Sequence, residues 1–144
     1  MPRIEYAGRC HCGAIGCRYT TARSPADWSV HACQCRFCRS HDALSTSDPD
    51  GQLQIFVNDA VMLQRYRFAL MTADFLLCRN CGVYTAAVIE SDAGRFGLIN
   101  TNVLSPAPER IAVVTPISYE DENTSERMIR REQRWTPVTE VPWQ

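Results

Sequence analysis

Lysine is absent from this chain of 144 residues; all fifteen basic side chains are arginine. Schiff-base formation and general-base catalysis by lysine are therefore excluded, and any nucleophilic work falls to thiols, histidine or a metal. Long apolar runs are also missing. Nothing approaches the ~20 residues needed to cross a bilayer, so no membrane partner is expected. The opening Met1-Pro2-Arg3-Ile4-Glu5 lacks the apolar stretch of a secretory signal. The expectation is a cytoplasmic protein with reduced thiols. Nor is there an excess of charge: a net −1 supplies no electrostatic reason for a nucleic-acid or membrane-surface partner. The length suits one domain with a real core.

What the chain does have is eight cysteines, seven of them in two patterned sets. One set is split between Cys10-His11-Cys12 and Cys78-Arg79-Asn80-Cys81-Gly82. The other is compact, Cys33-Gln34-Cys35-Arg36-Phe37-Cys38. In a reducing compartment such spacings point to metal ahead of disulfides. A thioredoxin-like redox pair at Cys78 and Cys81 would leave the other clusters unexplained. The split set offers four thiolates, enough to close a tetrahedral zinc site, and closed sites are usually structural. Residues i and i+2 of an extended backbone point the same way, so Cys10 and Cys12 aim at one point, and Gly82 permits a tight turn after Cys81. His11, between two ligands, is expected to face solvent. The compact set offers three thiolates, leaving a position for water or substrate unless His31 or His41 closes it. An open three-thiolate zinc is a soft centre suited to a further sulfur ligand, and it would ionise a bound thiol. Arg36 and Arg39 are candidates to hold a carboxylate of such a substrate. His41, His31 and Tyr84 are the candidate acids or bases. Cys17 is left over, as a small buried hydrophobe.

Short β-permissive runs dominate the rest: Ile4–Arg9, Ala14–Thr20, Gln52–Val57, Val61–Phe68, Ala73–Cys78, Val83–Ile89, Arg95–Asn100 and Ile111–Ile117. Hairpins are predicted across Asn58-Asp59-Ala60 and across the Cys78–Gly82 turn. The class is mainly β, a sheet-based fold without a βαβ array. One helix is predicted over Asn123–Arg134, capped by Asn123 or Thr124 and ended by Thr136-Pro137. Its arginines read first as a solvated face, balanced in part by Glu126 and Glu132, with an anion or partner surface as the alternative. Residues 1–120 are expected to form the zinc-binding domain and residues 121–144 a C-terminal helical extension.

The blocks Gly8-Arg9-Cys10-His11-Cys12-Gly13-Ala14-Ile15, Cys33–Arg39 and Cys78–Gly82 together resemble the glutathione-dependent formaldehyde-activating enzyme family, which also contains centromere protein V. The resemblance covers about residues 5–105. It implies a β-tent fold of small antiparallel sheets, with a structural zinc on Cys10, Cys12, Cys78 and Cys81 and a second zinc on Cys33, Cys35 and Cys38. It also implies a carbon–sulfur lyase: reversible condensation of glutathione with formaldehyde to S-hydroxymethylglutathione. Two positions depart from the family pattern: Gln34 stands where histidine is usual, and Leu77 where an aromatic residue is usual. The alternative is a non-catalytic, zinc-organised module that binds a thiol or a protein.

Overall fold

The computed structural model describes residues 2–109, 111 and 113–143. Eleven strands form one branched, mixed sheet: β1 (Ile4–Arg9), β2 (Ile15–Thr21), β3 (Val30–Cys33), β4 (Ser45–Thr46), β5 (Gln52–Val57), β6 (Leu63–Tyr66), β7 (Asp74–Cys78), β8 (Tyr84–Ser91), β9 (Gly94–Asn100), β10 (Thr115–Ile117) and β11 (Thr136–Glu140). Among the described residues two α-helices accompany them, the five-residue α1 (Arg36–Ser40) and α2 (Thr124–Arg134). The main path runs β1-β2-β5-β11-β9-β4-β3-β10, and β8, β7 and β6 branch from β9. None of the helices among the described residues is long and apolar enough to cross a membrane.

Side-chain alternation explains the sheet. In β2, Ile15, Cys17, Tyr19 and Thr21 are buried while Arg18 is exposed, the period of two expected of a half-buried strand. Strand β8 is buried without a break from Tyr84 to Ile89, as a central strand covered on both faces should be. Its neighbours β7 and β9 align on it antiparallel. The main core gathers Tyr19, Trp28, Leu53, Leu76, Val88 and Ile99, and a second cluster packs Tyr84, Ala87, Ile89 and Trp135 around Cys38.

The mainly β class and the capped helix hold. Asn123 accepts from the Glu126 amide at 2.8 Å and Glu126 returns a bond to the Asn123 amide at 3.0 Å, a complete capping box. Three expectations need correction. Gln52–Val57 and Val61–Phe68 do not pair as a hairpin: β5 lies between β2 and β11, and β6 pairs with β7. The Asn58-Asp59-Ala60 signal instead marks a 3₁₀ turn, with Asp59 capping Val61 at 3.1 Å. The run Ile111–Ile117 is a strand only over Thr115–Ile117, with Ala112 outside the described residues. The sheet is also not purely antiparallel, because β3/β10 and β5/β11 run parallel. Strand β11 was invisible as a strand because it opens on Thr136-Pro137, the pair read as a helix stop. Thr136 and Pro137 in fact align with Gly97 and Phe96 of β9, and Val138 with Leu53 of β5.

Candidate metal centres and an arginine-walled cavity

The four-cysteine set joins the end of β1 to the β7–β8 turn. All four sulfurs lie within 4.8 Å of one another. Cys10 and Cys12 Sγ are 3.8 Å apart and Cys12 and Cys78 Sγ 3.5 Å apart. A tetrahedron with Zn–S bonds of ~2.3 Å has sulfur–sulfur edges of about 3.8 Å, so this donor set fits the metal. Two matching turns present the sulfurs. After Cys10, the Gly13 amide donates to the Cys10 carbonyl at 3.0 Å; after Cys78, the Gly82 amide donates to the Cys78 carbonyl at 2.8 Å. Both glycines have positive φ, +82° and +79°, the left-handed region that side chains other than glycine enter at a cost. The amides of Ile15 and Cys81 point at Cys10 and Cys78 Sγ, at 3.4 and 3.5 Å. Burial pushes the Cys10 thiol up to about 11. Hydrogen bonding to Asn80, and then to the Ala14 backbone, draws Cys12 down to about 6. His11 is exposed.

The three-cysteine set sits where β3 gives way to α1. Cys33 ends the strand, Cys35 caps the helix by accepting from the Cys38 amide at 3.4 Å, and Cys38 is buried in the helix. Their sulfurs share the same 4.8 Å limit, and no histidine or carboxylate joins the group among the described residues. Hydrogen bonding to Cys33, and then to Cys38, holds the Cys35 thiol far below its ordinary range, while contacts with Cys33 and then Cys35 raise Cys38. A cluster in which one sulfur is a ready anion and its neighbours are not is a soft donor set for a cation.

These three sulfurs lie on the wall of a cavity of about 700 Å³, and none of the other four does. Tyr84, Phe75, Phe68, Leu98 and Trp135 form apolar parts of the wall. Tyr84 is fully buried, and burial raises its phenol well above the ordinary value, so it is a neutral hydrogen-bond donor. His31 lines the cavity with Nε2 3.2 Å from Ser29 Oγ. Burial, then the charges of Arg134 and Arg130, lower its pKa, so it is a neutral imidazole. Arg36 is on the wall. Arg39 and His41 are not: Arg39 is exposed on α1, and His41 caps that helix with its ring 4.7 Å from Phe37.

The opposite character comes from α2. Arg127, Arg130, Arg131 and Arg134 recur at helical spacing and all four line the cavity. In place of the solvated face expected from their spacing, the helix turns these arginines onto the cavity. The signal for it was the i, i+3, i+4 and i+7 recurrence of one residue type, which marks a face but not what the face meets.

The family of glutathione-dependent formaldehyde-activating enzymes matches residues 5–117. A crystal structure of a Rhodobacter sphaeroides protein, solved as a structural-genomics target, is 26% identical to this chain. The match covers 92% of this chain and 99% of that one, with a TM-score of 0.50.

Proposed function

The chain belongs to the glutathione-dependent formaldehyde-activating enzyme family, and from that membership we propose an enzyme that makes and breaks the carbon–sulfur bond between a small thiol and a one-carbon carbonyl compound. In the reading that follows, Cys10, Cys12, Cys78 and Cys81 hold a structural Zn²⁺ and Cys33, Cys35 and Cys38 a second one. The observation that supports it is the three-sulfur set on a cavity wall with no fourth protein ligand among the described residues. When bound there, zinc supplies the positive charge that keeps a coordinated thiol ionised at neutral pH.

The protein's own groups supply the rest. The substrate thiol loses its proton, its sulfur bonds to the carbonyl carbon, and the carbonyl oxygen gains a proton, giving an S-hydroxymethyl adduct with no change of oxidation state. Neutral Tyr84 and His31, both on the cavity wall, are the groups able to hand a proton to that oxygen or to take the thiol proton. Phe68, Phe75 and Leu98 limit water beside the reacting atoms, which strengthens each polar contact made there. Arg36, on the cavity wall, would pair with a substrate carboxylate, and Arg39 lies off that wall. Seven thiolates at metal sites also fit a reducing, cytoplasmic setting.

The test is exchange of glutathione and formaldehyde followed by two-dimensional NMR exchange spectroscopy, with wild type and Cys35→Ser compared at equal concentration. The proposal expects faster exchange with wild type. Equal rates would leave a zinc-organised thiol-binding protein without turnover.

A further inference from the structure

Arg131 is a buried cation without a counter-ion. It is 6% exposed, and no carboxylate lies within ion-pairing distance of it among the described residues. Its guanidinium has one side-chain hydrogen bond, Nη1 to Thr72 Oγ1 at 2.8 Å, and stacks over Trp135 at 4.9 Å. Its Nε is buried with no partner at all. The carboxylate that pairs with this arginine face among the described residues is Glu122, and it is already engaged: Arg130 Nε reaches it at 2.7 Å and Arg127 Nε at 3.5 Å. Arg134, one turn on, also has no carboxylate partner among the described residues and also lines the cavity.

A cation taken out of water is costly unless something pairs with it. Leaving a guanidinium unpaired on a cavity wall makes sense where an anion enters from the cavity side, since the planar fork suits carboxylate and phosphate oxygens. We infer that Arg131, with Arg134 beside it, is the binding site for an anionic group of the thiol substrate, a carboxylate or a phosphate on the part of the molecule distant from the sulfur. Burial and the neighbouring Arg130 and Arg127 charges lower the Arg131 pKa to about 10, which still leaves it a cation at neutral pH. The helix lies beyond residues 5–117. This site therefore belongs to the C-terminal segment of the chain and would set which anionic thiol is accepted. The inference rests on the reading of the three-cysteine set as a thiol site.

The experiment is calorimetric binding to the zinc-loaded chain, as wild type, Arg131→Lys and Arg131→Met. The probes are glutathione against its diethyl ester, phosphopantetheine against pantetheine, and 2-mercaptoethanol. Wild type should bind at least one anionic thiol tenfold or more tightly than its neutral counterpart; the pair that shows the gap identifies carboxylate or phosphate as the group held. Arg131→Met should lose that gap while keeping its affinity for 2-mercaptoethanol, and its ligand-free Tm should stay level or rise, because an unpaired buried charge is gone. Arg131→Lys should keep part of the gap. Equal wild-type affinity for charged and neutral members of both pairs would overturn the anion site, even if Arg131→Met fails to fold. So would an Arg131→Met protein that melts lower yet retains the full gap. Absence of formaldehyde exchange with the gap intact would retire the reaction and leave the anion site standing.

Discussion

The two cysteine sets use the same ligand chemistry in opposite surroundings. The four-cysteine set ties β1 to the β7–β8 turn across a sequence separation of 66 from Cys12 to Cys78, packed against Ile15, Val57, Leu63 and Val83 and away from the cavity. The three-cysteine set spans six residues, closes no long loop, and lies on the cavity wall. A full donor set between distant strands works as a cross-link, whose value grows with the chain entropy it removes. An incomplete set beside a void removes little chain entropy and leaves a place for a ligand. In the proposed reading, ligand count and loop length separate folding from chemistry within one small protein.

The difference is broken most directly by removing one sulfur from each set. Cys81→Ser should lose metal-linked folding free energy on the order of 10 kcal/mol, comparable to the whole stability of a domain. The expected outcome is insoluble or unfolded protein, read by circular dichroism and by recovery in the soluble fraction. A Cys81→Ser variant with a normal melt would make the split set dispensable and erase the contrast. Cys35→Ser should retain the fold and lose one of two zinc ions per chain, together with thiol binding. A chelator titrated into wild type, with released zinc followed by a colorimetric indicator, should empty the three-cysteine set first, because its open position exchanges. Simultaneous release of both ions would argue for two equivalent sites.

The parts of this design that were legible in the sequence are those written in local spacing. Cys10, Cys12, Cys78 and Cys81 announce themselves because C-x-C and C-x-x-C fix where sulfurs point, and Asn123 with Glu126 announces the helix start for the same local reason. Hidden features depend on what lies across space. Pro137 and Thr136 read as a stop because nothing nearby shows that β9 and β5 await a strand between them. Two-residue β4 is too short to carry a pattern, and exists because Ser45 and Thr46 align with β3 on one side and β9 on the other. The arginine face of α2 was visible as a periodicity, but the cavity it meets is lined by β3, α1 and residues 68–70. Only the assembled fold shows that Arg131 is buried.

A middle-sized effect should come from Asp74, which starts the strand that ends on Cys78. Its buried carboxylate accepts from Arg65 Nη2 and Arg67 Nε, each at 2.8 Å. Burial opposes ionisation, but the hydrogen bonds from Arg67 and then Arg65 outweigh it and hold the carboxyl below its ordinary 3.8. Its contribution is therefore fully present above about pH 4 and is lost as pH falls through the lower folded value. Asp74→Asn should cost about 1–2 kcal/mol at pH 7, the guanidinia being partly exposed. That gap should narrow in acid, as denaturant melts at pH 7 and pH 3 would show. Zinc content at pH 7 should be unchanged, which separates fold stability from metal binding. An equal gap at both pH values would remove Asp74 from the acid response.

The smallest effect belongs to the eighth cysteine, and it decides whether the sets number four and three or share a spare ligand. Cys17 is fully buried in β2 within the main core, opposite Gly8 of β1. A side chain on Gly8 would meet its sulfur at 3.0 Å, so the thiol fills the space a Gly8 side chain would need. Burial pushes it up to about 12, so it is a neutral thiol, and it stands outside both cysteine groups. Cys17→Ala removes one buried sulfur and should cost about 1 kcal/mol, the scale of a small core deletion. The zinc count should remain two per chain, and the folded wild type should leave Cys17 unlabelled by an alkylating reagent until denaturant is added. Loss of a zinc ion from Cys17→Ala would show that the core thiol is a ligand. The division between a closed cross-link and an open centre would then have to be redrawn around eight sulfurs.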